Sequence, residues 1–153
     1  MTDIVIRTAE QADLPALLGL YRHLIPEEMP CPDDRAADIL NRLQAFEGSA
    51  VLISLLGADI VASCTVIVIP NLTQGGTPYA LIENVVTDAG HRNKGLGKAI
   101  MKAALDHAWG AGCYKAMLMT GSKKPSTLAF YEAAGFEQSK TGFQARRLPA
   151  RSE

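Results

Sequence analysis

A nearly continuous apolar run from residue 50 to 69 constrains the fold of this chain more than any other feature. The run is about as long as a membrane-spanning segment, but the tripeptide Gly57-Ala58-Asp59 interrupts it at the middle. Valine and isoleucine, which favour strands, crowd both halves. We therefore predict two buried strands, 51–55 and 60–69, joined by a tight turn, and no membrane contact.

Length and composition favour a single domain over residues 1–153. A chain of 153 residues with 48% hydrophobic content can bury one substantial core. The formal net charge of -1 gives no overall field that would attract nucleic acid. Cys31, Cys64 and Cys113 are widely spaced and the histidines are scattered, so we expect a cytoplasmic protein without disulfides or a metal site.

The remaining hydrophobic patterns predict a fold of the α/β (α+β) class, with a mixed sheet of about seven strands and four flanking helices. Beside the two central strands, further strands are predicted at residues 4–7, 79–87, 113–120, 136–139 and 141–147. The predicted helices cover residues 14–24, 35–46, 95–109 and 125–134.

The loop that follows residue 87 has the features of an anion site. Basic residues and two glycines, Gly95 and Gly97, open a helix whose first N–H groups would point at the ligand. Leu96 stands where a Walker A loop needs its lysine, and Ile100 stands where a dinucleotide fingerprint needs its third glycine. The remaining interpretation is that the pattern Arg92-x-x-Gly95-x-Gly97 holds the pyrophosphate of a coenzyme A thioester.

Two segments together resemble a known family. Residues 82–97 look like the acetyl-CoA motif of the GNAT family of N-acetyltransferases, Arg/Gln-x-x-Gly-x-Gly/Ala, and residues 130–136 look like its second cofactor segment. The resemblance implies the GNAT fold, whose sheet is mostly antiparallel. It also implies that two neighbouring strands of the sheet, 79–87 and 113–120, splay apart, so that the pantetheine arm can bind to the free edge of the first.

The resemblance implies an enzyme that moves the acetyl group of acetyl-CoA to a primary amine, by direct attack in a ternary complex. Tyr131 is the implied general acid for the departing thiolate. Glu83 is the candidate base, directly or through a water, because alkyl amines are mostly protonated at neutral pH. The implied cofactor contacts are Val85, Val86, Thr87, Arg92, Asn93, Lys94, Gly95, Leu96, Gly97, Lys98 and Ser122.

Structural interpretations of both catalytic candidates remain open. Tyr131 could simply pack against Phe136, and Glu83 could be a structural carboxylate that faces away from the cleft. Strand alternation predicts that Glu83 and Val85 share one face of the sheet. It places Asn84 and Val86 on the other face.

The acceptor is expected to be a small-molecule amine, with candidate contacts at Glu83, Asn84, Glu28 and Tyr21. The chain is also similar to glucosamine 6-phosphate N-acetyltransferases of this family, although its 120–125 connection looks longer. That similarity would bring Lys115 and Arg146 or Arg147 near an amino-sugar phosphate, together with Glu83 and Asn84.

Other interpretations of the acceptor and of the activity remain open. The acidic cluster Glu27, Glu28, Asp33 and Asp34 would favour a cationic amine. A module that binds acyl-CoA without turnover is a further alternative. The oligomeric state is left open by the sequence: the family is often dimeric, and the C-terminal strands are a place where two copies could pair.

Overall fold

The structure, a computed structural model, describes residues 3–24 and 30–149. The predicted hairpin is confirmed: β2 (Ala50–Leu56) and β3 (Asp59–Ile69) pair antiparallel. Gly57, with a φ of 63°, makes the turn between them, in the left-handed region that glycine adopts without steric cost.

Three further strands complete a five-stranded sheet in the order β1-β2-β3-β4-β5. They are β1 (Ile4–Thr8), β4 (Tyr79–Thr87) and β5 (Ala116–Met117). All neighbouring pairs are antiparallel except β4 and β5, which run parallel. The mixed, mostly antiparallel sheet is therefore confirmed, but the described residues form five strands in place of seven.

The four predicted helices are present: α1 (Leu14–Tyr21), α2 (Asp33–Gln44), α3 (Leu96–Gly110) and α4 (Pro125–Ala133). Across residues 3–24 and 30–149, no helix combines the length and the apolar character needed to span a bilayer.

Helices cover the central strands on both faces of the sheet. On one face, α1 and α2 pack into a buried cluster with side chains of β2, β3 and β4; its members are Ala9, Leu17, Leu20, Leu40, Val51, Ile53, Ile60 and Val86. Alternation turns the other side chains of β2 and β3 towards α3, whose Ile100, Met101 and Ala104 are fully buried. Burial on both faces explains why the apolar run shows almost no polar alternation.

A bulge in β4 changes which side chains share a face. Thr65 pairs with Glu83 and Ser63 pairs with Val86, so two residues of β4, the first of them Asn84, stand opposite one residue of β3. Asn84 has a φ of 53°, in the left-handed region. The extra residue moves Val86 to the face of Glu83, where it joins the cluster against α1 and α2. The prediction that Glu83 shares a face with Val85, and that Val86 lies on the other face with Asn84, is therefore wrong.

The last part of the predicted sheet is also corrected. The strand expected at 113–120 is reduced to β5, and residues 136–139 and 141–147 form no strand. None of residues 119–149 is buried, so no apolar burial in this segment would offset the entropy cost of adding two strands.

The pairing of β4 with β5 is short. It consists of Ala80 opposite Ala116 and Leu81 opposite Met117. Within the described part of the chain, β4 from Ile82 onward has no strand partner on this side. The free backbone edge agrees with the splayed strand pair that the resemblance implies.

The chain divides into two compact units, one up to Leu118 and one from Met119. The first unit contains the whole sheet with α1, α2 and α3, and the second contains α4. That residues 1–153 act as one domain stays a prediction.

Candidate functional site

The loop from Asp88 to Lys98 continues β4 and leads directly into α3. Its start is fixed to the sheet, because the Asp88 N–H donates to the Val61 carbonyl at 2.8 Å. Further along, Asn93 (φ 64°) and Gly95 (φ 78°) adopt left-handed conformations and turn the chain into the helix. Left-handed backbone at two nearby positions is costly for most residues, which explains an asparagine and a glycine here.

The helix entrance presents backbone donors. The first intrahelical bond runs from the Ala99 N–H to the Gly95 carbonyl, at 3.1 Å, so the N–H groups of Leu96, Gly97 and Lys98 have no helical acceptor. A Cβ built on Gly95 would meet no atom within 4 Å. The backbone at this point is open to a ligand, and the helix dipole favours an anion.

Side chains add positive charge to this entrance. Arg92, Lys94 and Lys98 are all exposed. Within residues 3–24 and 30–149, none of the three lies within ion-pair distance of a carboxylate. Leu96 differs from them, because its side chain is buried and anchors the first turn of α3. Its predicted cofactor contact could therefore come only from its backbone.

The residues of β4 that were predicted to contact pantetheine differ in what they can offer. The Val86 side chain is buried in the core, so only its backbone is available. Val85 and Thr87 are half-buried. Glu83 and Asn84 are exposed at the bulge, where a carboxylate can reach a bound amine or a water.

The Tyr21 side chain, at the end of α1, lies on the face of the sheet that carries Glu83. It is half-buried and packs against the core cluster beneath α1 and α2. Burial raises the pKa of Tyr21, and the hydroxyls of Thr65 and Ser63 offset part of that rise. Because Thr65 is the cross-strand partner of Glu83, two predicted substrate contacts, Tyr21 and Glu83, lie on one face. The third contact, Glu28, lies outside the described residues.

In the second unit, Tyr131 lies on α4. Its ring makes edge-on contacts with Phe130, at 5.1 Å between centroids, and with Phe136, at 6.4 Å. Burial raises the pKa of the Tyr131 phenol, so the group keeps its proton at neutral pH. The predicted packing against Phe136 is confirmed, and the role as general acid stays a prediction.

Ser122 has partners of its own within the second unit. Its hydroxyl donates to Thr127 Oγ1 at 3.0 Å and accepts from the Lys124 N–H at 3.3 Å. These bonds order the turn that opens α4. Contact between Ser122 and pantetheine stays a prediction.

A cationic group with aromatic neighbours lies beside the first residues of β4. The Lys115 ammonium is 5.3 Å from the centroid of the Tyr79 ring and 5.4 Å from that of Tyr114. In the described part of the chain it has no carboxylate partner. Tyr79 and Glu83 are four residues apart on β4 and both precede the bulge, so they share a face about 13 Å apart.

One contact at this site was not predicted. His23 accepts a hydrogen bond from the Ala89 N–H at 2.8 Å, at the start of the loop. No spacing rule relates two residues so far apart in the chain, and scattered histidines gave no signal. Elsewhere, residues 3–24 and 30–149 contain no group of three His, Cys, Asp or Glu residues that could hold a metal.

Over residues 17–136 the chain matches the model of the acetyltransferase (GNAT) family. The chain belongs to this family. Over 140 residues the chain is 36% identical to glucosamine 6-phosphate N-acetyltransferase of Trypanosoma brucei brucei, covering 89% of this chain and 92% of that protein. It is 25% identical over 142 residues to the L-methionine sulfoximine/L-methionine sulfone acetyltransferase of Salmonella typhimurium, covering 87% and 80%.

A solved structure agrees with these sequence matches. The putative acetyltransferase from Agrobacterium tumefaciens superposes with a TM-score of 0.87 at 40% identity, covering 94% of this chain and 99% of that chain. The GNAT fold is thus confirmed. This GNAT chain is an acetyl-CoA-dependent enzyme that N-acetylates an amine. The alternative of a binding module without turnover is set aside.

Proposed function

We propose that this acetyltransferase acts on a small-molecule primary amine, and that the acceptor is an amino-sugar phosphate of the glucosamine 6-phosphate type. The observation that carries the proposal is the Lys115 ammonium, which lies above two aromatic rings and has no carboxylate partner among the described residues. A cation without a carboxylate partner is suited to a phosphate group. The named Trypanosoma relative, which matches nearly the whole chain, supports the same acceptor.

A cationic amine as acceptor is less well supported, because two residues of the acidic cluster have a structural role. Asp33 and Asp34 occupy the first turn of α2, where acidic side chains stabilise the positive end of a helix dipole. Their charge has a structural explanation that needs no ligand. The other two members of the acidic cluster, Glu27 and Glu28, lie outside the described residues.

For the cofactor, we propose that the amides of the loop and the cations Arg92, Lys94 and Lys98 hold the pyrophosphate. The pantetheine arm then runs along the free edge of β4. The open backbone at Gly95 supports this assignment, because a phosphate can approach it closely.

We propose that Glu83 and Tyr131 carry the proton transfers. Glu83, directly or through a water, takes a proton from the ammonium, and the free amine attacks the thioester carbonyl. As the carbon–sulfur bond breaks, Tyr131 gives its proton to the leaving thiolate, and the acylated nitrogen returns its surplus proton to the Tyr131 phenolate. The exposure of Glu83 supports the first role, and the protonated phenol of Tyr131 supports the second.

The acceptor proposal is tested by measuring thiol release from acetyl-CoA with glucosamine 6-phosphate, with glucosamine and with a panel of cationic amines and amino acids. We expect KM for glucosamine 6-phosphate to be far below that for glucosamine. Lys115→Gln should raise the first KM at least about tenfold and leave the second nearly unchanged, because only the first ligand has a phosphate. Equal KM values for both sugars, or preference for a cationic amine, would refute the proposal.

A cytoplasmic location and a homodimer are further expectations. The expected C-terminal strands are absent, but Phe143 and Leu148 are 89% and 74% exposed in the second unit. Exposed large apolar side chains of this kind support a contact with a second copy. Light scattering of the purified chain tests the dimer.

A further inference from the structure

A histidine outside the predicted site connects α1 with the loop at residues 88–98. His23 lies just beyond the end of α1, and its Nδ1 accepts the Ala89 N–H at 2.8 Å across 66 residues of sequence. We propose that His23 is a positioning residue, which holds the start of this loop in the geometry that binds coenzyme A. The proposal rests on the assignment of the loop to the cofactor.

The hydrogen bond defines the protonation state of the ring. A nitrogen that accepts a hydrogen bond carries no proton, so the neutral His23 ring carries its proton on Nε2. Nε2 lies 3.9 Å from Asp88 Oδ2, too far for a hydrogen bond but close enough for electrostatic attraction. The ring thus contacts both Asp88 and Ala89, the two residues that begin the loop.

Asp88 is itself held within the turn. Its Oδ1 accepts the Gly90 N–H at 2.8 Å and lies 3.1 Å from His91 Nδ1. The hydrogen bond with His91, followed by that with Gly90, holds the pKa of Asp88 below its ordinary value. Asp88 therefore remains a carboxylate at neutral pH, and His91 Nδ1 donates to it. The loop start is thus held in three ways: within the turn by Gly90 and His91, from β3 by the Val61 carbonyl, and from the end of α1 by His23.

Two substitutions separate the acceptor atom from the bulk of the ring. His23→Asn keeps an oxygen acceptor near the position of Nδ1, and His23→Leu removes it. We expect His23→Leu to raise KM for acetyl-CoA about fivefold with kcat within about twofold, because one hydrogen bond that orders the loop is lost. His23→Asn should restore KM to within about twofold of the original value. The control is His107→Leu, which removes a 2.7 Å contact with the Gly48 carbonyl near the end of α3.

Calorimetric titration with coenzyme A completes the test. Affinity should fall about fivefold in His23→Leu and stay within about twofold of the original value in His23→Asn. An unchanged KM in folded His23→Leu, a fivefold rise in KM also in His107→Leu, or an equal loss of affinity in His23→Leu and His23→Asn would overturn the role of His23. If Gly97→Asp binds coenzyme A normally, the loop assignment itself fails, and the proposal fails with it.

Discussion

The loop at residues 88–98 and the segment from residue 119 to 149 offer two different kinds of functional group. In the loop the groups are mainly backbone N–H donors, whose directions follow from the left-handed Gly95 and from the start of α3. In the second segment the candidate group is one side chain, Tyr131, held by contacts with Phe130 and Phe136. A site made of backbone N–H groups is therefore lost when a side chain blocks access to it. A site made of one side chain is lost when its single reactive atom is removed.

The largest effect is expected from a substitution in the loop. Gly97→Asp places a carboxylate beside the N–H groups at the entrance of α3, and coenzyme A affinity should fall at least about a hundredfold through steric block and charge repulsion. The fold should survive, because an acidic residue in the first turn stabilises a helix. Calorimetry with coenzyme A measures the loss.

The matched control for Gly97→Asp is Gly110→Asp at the other end of α3, where a Cβ would meet no atom within 4 Å. It should leave coenzyme A affinity unchanged. Tight binding by Gly97→Asp would show that the loop does not hold the cofactor.

The second-largest effect is expected from removal of the Tyr131 hydroxyl in the second segment. Tyr131→Phe should lower kcat about a hundredfold with little change in coenzyme A affinity, because a general acid is lost while the ring remains. Tyr131→Ala removes the ring as well and should also lower the melting temperature. If Tyr131 only packs against Phe136, the phenylalanine variant will keep full turnover and only the alanine variant will be impaired.

A smaller effect is expected from removal of a serine hydroxyl, and its size should differ between the two units. Ser63 is fully buried and its hydroxyl donates to the Leu52 carbonyl at 2.9 Å, whereas Ser122 is half-buried. Ser63→Ala should lower the free energy of unfolding by about 1 kcal/mol, and Ser122→Ala by less, because water can replace the lost partner there.

Removal of the Ser54 hydroxyl is expected to increase stability, in contrast to the other two serines. Its hydroxyl is buried and, within the described residues, has no hydrogen-bond partner. Ser54→Ala should therefore raise the free energy of unfolding by up to about 1 kcal/mol. Urea unfolding of the three alanine variants gives the ranking, and a larger loss in Ser122→Ala than in Ser63→Ala would contradict the difference between the units.

The sequence predicted best what depends on neighbouring residues. The hairpin around Gly57, the run from β4 through the loop into α3, and the contact of Tyr131 with Phe136 all follow from local spacing, and all are confirmed. The expected strands at 136–139 and 141–147 failed, because a short alternating pattern does not reveal whether a partner strand and a buried face exist.

Two features of the site could not be predicted, because they depend on distant pairing. The bulge at Asn84 is defined only by the register of β4 against β3, which no local pattern of β4 contains. The contact of His23 with Ala89 joins segments that meet only after folding. Both lie where the loop leaves the sheet, so local spacing identified the cofactor motif but not what holds it in place.

The bulge also predicts how this strand tolerates changes in length. Because Asn84 and Val85 together stand opposite one residue of β3, deletion of Asn84 would leave a regular ladder in which Val86 still pairs with Ser63 on the face of Glu83. Val86 would stay in the core cluster, and only the left-handed turn at Asn84 would be lost. Removal of this one residue should therefore preserve the core and straighten the strand at the point where the bulge now bends it.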